Sequence, residues 1–286
     1  MRFHDAAISL QPRSIGSCLD VALVFVGQHL ALCLQILAYI ALPACVGVYF
    51  ASRFTQLGWF WCLLAVGVMS IPLGTALVSA AVRTAVGQPC TAPAAIANAF
   101  RSTWQTMFIV AILRPVHLAL MFAGVLPGAA VMIYTGFHAE SRLFSRWRAG
   151  EHDHRIGDLV KLEFGDLLTR GLGIAMFGLL FWGLLTITVD ATAMLLLGVS
   201  PCLGRLFEAV RNPWGLADFE AWWHAFWTFV TTDAMALTTI TATALITYAV
   251  CRLAWFFAYV DLRIRRDCWD VEVALAEEAQ RWRSPV

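Results

Sequence analysis

The chain has 286 residues, of which 60% are hydrophobic and only 14% are charged, with a mean hydropathy of +0.71. Soluble domains carry about 25% charged residues, so this composition excludes an ordinary soluble protein and predicts a multi-pass membrane protein. The formal net charge of +1 gives no indication of a nucleic-acid partner, because nucleic-acid-binding domains are usually strongly basic.

The N-terminal stretch is polar or mixed up to about residue 20, and a long apolar run follows it. That run is too long for the hydrophobic part of a signal peptide, and no small-residue cleavage site ends it, so we expect no cleavage. Four apolar residues repeat close to the helical period: Ile15, Leu19, Ala22 and Val26. With Ser14 as the N-cap, this pattern predicts a helix that lies in the membrane interface before the first span.

Two spans follow, at about 28–50 and 57–83. Trp59, Phe60 and Trp61 open the second span as an aromatic interfacial belt would. Arg83 closes the same span, which indicates that this end is cytoplasmic because short basic segments stay inside.

The apolar block at 103–139 would be roughly 55 Å long as a single helix, far more than the thickness of a membrane. Basic residues flank this block on both sides. Because both flanks are then expected in the cytoplasm, the block crosses an even number of times. We therefore predict spans at about 103–123 and 127–145, joined by a tight outer hairpin.

The remainder of the chain predicts two further spans. Residues 146–170 form a basic cytoplasmic loop, and a fifth span follows at about 171–190. Residues 199–233 form an outer aromatic loop whose Trp-rich segment is expected to be a helix at the interface. The sixth span is about 234–260, and residues 267–283 are predicted to form a cytoplasmic C-terminal helix.

The distribution of basic residues sets the expected topology. Of the twenty Lys and Arg, fifteen fall on the predicted inner side, three on the outer side and two within spans. This asymmetry predicts that both termini are cytoplasmic. The sequence thus predicts an all-α polytopic protein of the bacterial inner membrane, with six transmembrane helices and additional interfacial helices, in contact with membrane lipids.

One polar stripe lies on the sixth span. Thr239, Thr243 and Thr247 stand four residues apart, so they share one helix face. Threonine hydroxyls bond back to their own helix, and small residues let helices approach closely. A helix-packing stripe is the favoured interpretation, and the lining of a transport path is the alternative.

Ionisable residues within predicted spans are costly and often functional. Six of them are singled out as candidates: Arg114, His117, His138, Glu140, Asp190 and Arg252. We expect Arg114 to pair with Glu140, since they lie on the two arms of one hairpin. Arg252, with His138, would join the same inner-leaflet cluster. This polar cluster is either a structural lock or a site for an anionic group such as a lipid phosphate, which arginine binds bidentately.

Cysteine and histidine patterns give little sign of a metal site. The eight cysteines form no CxxC pair, so neither zinc nor a disulfide framework is expected. A disulfide between Cys45 and Cys62, both near predicted outer ends of spans, is left open. His152, Asp153 and His154 lie in a polar loop and are interpreted as solvated, so we expect neither a metal nor a cofactor.

Four scattered segments resemble one bacterial family. They are Arg13–Gly16 with Leu19–Asp20, Ala80–Arg83 with Gly87, Leu126–Gly128 with Glu140, and Tyr259–Arg265. This order resembles the six-span membrane domain that is attached to some glycerophosphodiester phosphodiesterases and that also occurs in stand-alone membrane proteins. No hydrolase domain follows Val286, so the phosphodiesterase activity is not expected here. The outer loop at 199–233 is a departure from the family pattern.

No Walker loop, GxSxG, HExxH or dinucleotide fingerprint occurs in the sequence. Three function classes remain open: a scaffold or partner subunit of an envelope assembly, a transporter or anionic-lipid-binding protein, and an intramembrane enzyme. We favour the non-catalytic scaffold, with a membrane-protein partner or a second copy of the chain as its partner. A transporter would usually show broken helices at matching positions in two halves, and the prolines here do not match in that way.

The predicted topology is tested by reporter fusions along the chain. Fusions after residues 53, 125 and 210 are expected to report the outer side, because few basic residues flank them. Fusions after residues 90, 155 and 275 are expected to report the cytoplasm. If the fusions at 90 and 155 reported opposite sides, the inference that the block between them crosses an even number of times would be wrong.

Overall fold

The structure is a computed structural model that describes residues 15–85, 88–101, 160–211 and 219–267, with five single positions between 108 and 137. In this part of the chain every regular element is a helix and no strand occurs. The predicted all-α class is therefore confirmed for the described residues. The predicted third and fourth spans and the C-terminal helix lie almost entirely outside them.

Seven helices have defined bounds. They are α1 (Ile15–Gln28), α2 (Leu30–Phe54), α3 (Gly58–Ala85), α4 (Phe164–Leu197), α5 (Leu203–Arg211), α6 (Phe219–Thr232) and α7 (Ala234–Asp267). Residues 92–101 are also helical. Four helices, α2, α3, α4 and α7, are long and apolar enough to cross a membrane. They correspond to the predicted first, second, fifth and sixth spans.

Two of these helices are much longer than the predicted spans. Helix α4 begins at Phe164, inside the segment predicted as a cytoplasmic loop, and α7 continues past the predicted end at 260 to Asp267. The prediction took the first charged residues as helix ends. Charged residues spaced four apart instead stabilise one another on the helix surface, so the helices continue beyond the apolar segment.

The predicted outer loop at 199–233 contains two helices, α5 and α6. Helix α6, which begins at Phe219 and ends at Thr232, carries the Trp-rich segment that the sequence predicted to be helical. Asp233 is the single residue between α6 and α7.

Helix α7 lies at the centre of the described bundle and packs against α1, α2, α3 and α4. Residues 253–264 of α7 are buried at every position. A helix that is buried on all sides must be enclosed by other helices. Aromatic rings fill this region: Phe257 packs against Phe25 of α1, with ring centroids 6.0 Å apart, and Trp255 stacks on Phe137 at 4.8 Å.

Helix α1 packs on α7 with a face that differs slightly from the predicted one. Cys18, Ala22 and Phe25 are buried, whereas Leu19 and Val26 are only half-buried. The prediction left Cys18 out of the apolar stripe, although cysteine behaves as a small hydrophobic residue in a core.

Glycine contacts give the relative directions of the helices. A Cβ at Gly58 of α3 would meet Leu237 near the start of α7, and a Cβ at Gly74 would lie 2.6 Å from the Tyr248 hydroxyl further along it. Helix α3 therefore runs parallel to α7. A Cβ at Gly178 of α4 would lie 2.9 Å from Cys251 Sγ. With Asp261 of α7 bonded to Arg170 of α4, α4 runs antiparallel to α7.

The bundle thus has two ends with different chemistry. At the basic end, α3 and α7 end and α4 begins, and Arg83, Arg170 and Arg265 lie there. At the aromatic end, α2 ends, α3 and α7 begin, and α5 and α6 pack alongside.

The close approach at Gly58 gives a stability prediction. A Cβ at this position would lie 2.6 Å from the backbone carbonyl oxygen of Thr231, which cannot rotate away as a side chain can. We expect Gly58→Ala to lower the free energy of unfolding in detergent by about 1–3 kcal/mol, the usual cost of overpacking.

Gly67→Ala is the matched control, because a Cβ at Gly67 of the same helix meets nothing within 4 Å. Alanine there should leave stability unchanged or raise it, since alanine favours helix more than glycine does. Equal destabilisation by both variants would contradict the packing argument.

Candidate functional site

The most concentrated group of charges lies at the basic end, where α4 crosses α7. Asp166 and Arg170 are one turn apart on α4, and Asp261 and Arg265 are one turn apart on α7. In both helices the acidic residue precedes the basic residue by four positions, the favourable order for a pair on one helix face. Because the two helices are antiparallel, each acidic residue lies opposite the basic residue of the other helix.

These four side chains form one charge network. Arg170 Nη1 donates to Asp261 Oδ2 at 2.7 Å, and Arg265 Nη2 donates to Asp166 Oδ2 at 2.9 Å. Within each helix, Arg265 Nη2 lies 2.9 Å from Asp261 Oδ2. Arg170 Nε lies 2.9 Å from Asp166 Oδ2, an ionic contact without hydrogen-bond alignment. Each aspartate therefore contacts both arginines, and the four formal charges cancel.

The network passes from the core to the surface. The side chains of Arg170 and Asp261 are 4% and 1% exposed, whereas those of Asp166 and Arg265 are 37% and 30% exposed. The inner pair has lost its hydration, which is tolerable only when the two charges compensate each other closely. The outer pair is partly screened by solvent and stabilises less. Arg170 Nη1 also contacts Cys18 Sγ of α1 at 3.7 Å, so the network touches a third helix.

The sequence-based analysis did not identify this network. It placed Asp166 and Arg170 in a loop and took the arginines after Asp261 only as the end of a span. The available signal was the repeated spacing of an aspartate four residues before an arginine at the ends of two spans.

Of the predicted polar cluster, only Arg252 lies within the described residues. Arg114, His138 and Glu140 lie outside the described residues, so their association stays a prediction. Arg252 lies half-buried on α7, where its Nε would be 3.3 Å from a Cβ at Gly74 of α3. It is nine residues from Asp261, or about 13 Å along the helix, and therefore lies apart from the charge network.

The predicted threonine stripe faces α4. Thr243 Oγ1 accepts hydrogen bonds from Trp182 Nε1 and Thr186 Oγ1 of α4, both at 3.1 Å. Thr247 is buried close to Gly178 of the same helix, and the Thr239 hydroxyl donates back to Met235 O at 3.0 Å. These contacts favour a packing role for the stripe over a transport lining.

Asp190 caps the start of α5. Its Oδ1 accepts from the backbone N–H groups of Cys202 at 2.7 Å and Leu203 at 3.1 Å, and its Oδ2 accepts from Ser200 Oγ at 2.7 Å. The chain turns back to make these contacts through Gly198, whose φ of 68° is in the left-handed region. The buried Asp190 carboxylate is thus used to close the connection between α4 and α5.

Three cysteines towards the aromatic end, Cys45, Cys62 and Cys202, have free thiols. Burial, and then the negative charges of Asp190 and Asp233, raise the pKa of the Cys202 thiol, so it stays protonated and is a weak nucleophile. Cys45 and Cys62, for which a disulfide was left open, are both free thiols. Within the described ranges, no three His, Cys, Asp or Glu residues are grouped as metal ligands would be.

No family model matches this sequence, and neither a curated protein nor a solved structure matches it significantly.

We expect the contributions of the buried residues Arg170 and Asp261 to the free energy of unfolding to be strongly coupled. Asp261→Asn removes the carboxylate that Arg170 Nη1 meets at 2.7 Å and should lower the free energy of unfolding by about 3–5 kcal/mol, the cost of leaving a buried charge poorly compensated. The double variant Arg170→Gln/Asp261→Asn should lose less than the sum of the single variants.

Asp166→Asn is the control within the same network, because its side chain is 37% exposed and solvent replaces part of the lost contact. We expect a clearly smaller loss for it in the same detergent denaturation experiment. Additive losses for the buried pair, or equal losses for Asp166 and Asp261, would contradict this description.

Proposed function

We propose that this protein is a non-catalytic multi-pass protein of the bacterial inner membrane that acts as a scaffold or partner subunit of an envelope assembly. The observation that carries the proposal is the charge network between α4 and α7. Two acidic and two basic groups contact one another within 2.9 Å, so their charges serve to hold two helices together. General acid–base catalysis needs such a group to face a substrate instead.

The outer face of α4 supports a partner role. Only 11% of its most apolar 18-residue window is buried, compared with 56% for α3 and 50% for α7. Leu179, Leu180 and Leu184 on this helix are each more than 60% exposed. A long apolar face of this kind is suited to lipid or to the helix of another membrane protein.

The proposal includes six spans with the basic end in the cytoplasm. Four spans correspond to α2, α3, α4 and α7, and the remaining two are those predicted at about 103–123 and 127–145. The positions of Arg83, Arg170 and Arg265 at one end of the bundle support this orientation, because arginine-rich ends of spans stay inside.

We also propose a relationship to the membrane domain that accompanies some glycerophosphodiester phosphodiesterases. The segment Tyr259–Arg265, one of the four that carry the resemblance, contains Asp261 and Arg265 of the charge network. The motif would then serve helix association, and the hydrolase activity would belong to a separate domain of those enzymes.

Anion binding or transport by Arg114, Glu140 and Arg252 is the second candidate function. It is favoured by the position of Arg252, a half-buried cation in the middle of α7 beside α3, because such a residue within a span often marks a ligand path.

The scaffold proposal is tested by photo-crosslinking in native membranes. A photoreactive residue replaces Leu180 or Leu184 on the exposed face of α4. We expect discrete adducts of protein size, either with one partner or with a second copy of the chain, because α4 is the least enclosed of the four long apolar helices that the structure describes.

Leu63 of α3 is the matched control, since it is 63% exposed and apolar but lies on a span of which more is buried. It should give lipid adducts only. Lipid adducts alone at Leu180 and Leu184 would contradict the partner role. The same protein adduct at all three positions would show that the contact is non-specific.

A further inference from the structure

An open cleft of about 740 Å³ lies at the aromatic end of the bundle, far from the charge network. It is bounded by the last turns of α2, by α5 and α6, and by the first turn of α7. Its polar lining includes Tyr49, Arg53, Arg205, His224, Thr228 and Asp233. A cavity of this size accommodates a small organic group and is larger than a single ion requires.

The charges in the cleft do not cancel. Arg205 pairs with Asp233 at 2.9 Å. The same carboxylate caps α7 by accepting from the N–H groups of Met235 at 3.0 Å and Ala236 at 2.9 Å. Asp233 is therefore shared between one arginine and the positive end of a helix dipole. Arg53 is exposed in the same cleft and has no ion-pair partner among the described residues, which leaves a surplus of positive charge.

The other polar groups in the cleft can donate hydrogen bonds. The Tyr49 and Thr228 hydroxyls and the His224 ring line it together with the Arg53 guanidinium. A guanidinium presents a planar fork of N–H groups that matches two oxygens of a phosphate. A ligand with several acceptor oxygens and a negative charge fits this lining better than a cation or an apolar molecule does.

The aromatic residues around the cleft indicate its depth. Trp59, Phe60 and Trp61 open α3 at this end, with neighbouring ring centroids 6.3 and 5.5 Å apart. Trp223 and Trp227 stack on the exposed side of α6, with ring centroids 6.2 Å apart. Tryptophan is enriched at the level of the lipid headgroups. The cleft would then lie where lipid phosphates are most concentrated.

We propose that this cleft binds a phosphate group, most directly that of an anionic phospholipid, with Arg53 as its principal ligand. Arg205 stays paired to Asp233 and contributes through its remaining N–H groups, while Tyr49 and Thr228 donate to the other oxygens. The site is independent of the proposed scaffold role, which rests on α4 and the opposite end of the bundle.

The test uses the full-length protein in a neutral detergent and follows its thermal unfolding. Phosphatidylglycerol, phosphatidylcholine and inorganic phosphate are titrated separately. We expect phosphatidylglycerol to raise Tm progressively with its concentration and phosphatidylcholine to have little effect, because only phosphatidylglycerol carries a net negative charge. A ligand that binds only the folded state stabilises it by RT ln(1 + [L]/Kd), so Tm keeps rising with ligand concentration above Kd.

Arg53→Gln should raise the phosphatidylglycerol concentration that produces a given rise in Tm by about tenfold or more, as loss of a charged hydrogen-bonding partner does. Arg53→Lys should give an intermediate value, because lysine keeps the charge but lacks the planar fork. Arg101→Gln, which removes an exposed arginine outside the cleft, should respond as the wild type does.

The two sources of phosphate are separated by the inorganic phosphate titration. A lipid-only response that depends on Arg53 supports a headgroup site, and an equal Arg53-dependent response to inorganic phosphate supports a site for a soluble phosphate compound. A wild-type response in Arg53→Gln, or equal stabilisation by phosphatidylcholine, would overturn the proposal.

Discussion

The ion pair between Arg170 and Asp261 is the contact on which the rest of the described bundle depends. Its two groups are nearly inaccessible and lie 2.7 Å apart, so each is tolerated in the interior only because the other is present. The pair fixes where α4 meets α7. Once that point is set, Gly178 falls beside Cys251 and Trp182 falls beside Thr243. Close contacts along the whole crossing thus follow from one buried pair.

The two ends of the bundle use arginine in opposite ways. At the basic end, Arg170 and Arg265 form ion pairs with two aspartates, and these ion pairs hold α4 and α7 together. At the aromatic end, one carboxylate, Asp233, faces both Arg205 and the start of α7, and Arg53 is additional. A network in which acidic and basic groups compensate each other stabilises the fold, whereas a charge surplus in an open cleft attracts a ligand of the opposite sign.

Hydropathy predicted the long apolar helices well where apolar residues alone define them. The span predicted at 57–83 is α3, and the start predicted for the sixth span at 234 is the start of α7. The charged ends were missed, because hydropathy reports the depth of a segment and not the length of its helix. The site was missed for a related reason: Asp166 and Asp261 are 95 positions apart in sequence, and only the antiparallel packing of two helices brings them together.

The order of charges also restricts how α4 and α7 can slide past each other. In the observed register Arg170 faces Asp261 and Asp166 faces Arg265. A slip of one turn in one direction would place Arg170 opposite Arg265, and a slip in the other direction would place Asp166 opposite Asp261. Either shift sets like charges against each other in a poorly solvated position, which costs far more than at a surface. The alternation of two acids and two bases therefore selects one register, which apolar packing between two leucine-rich helices does not do by itself.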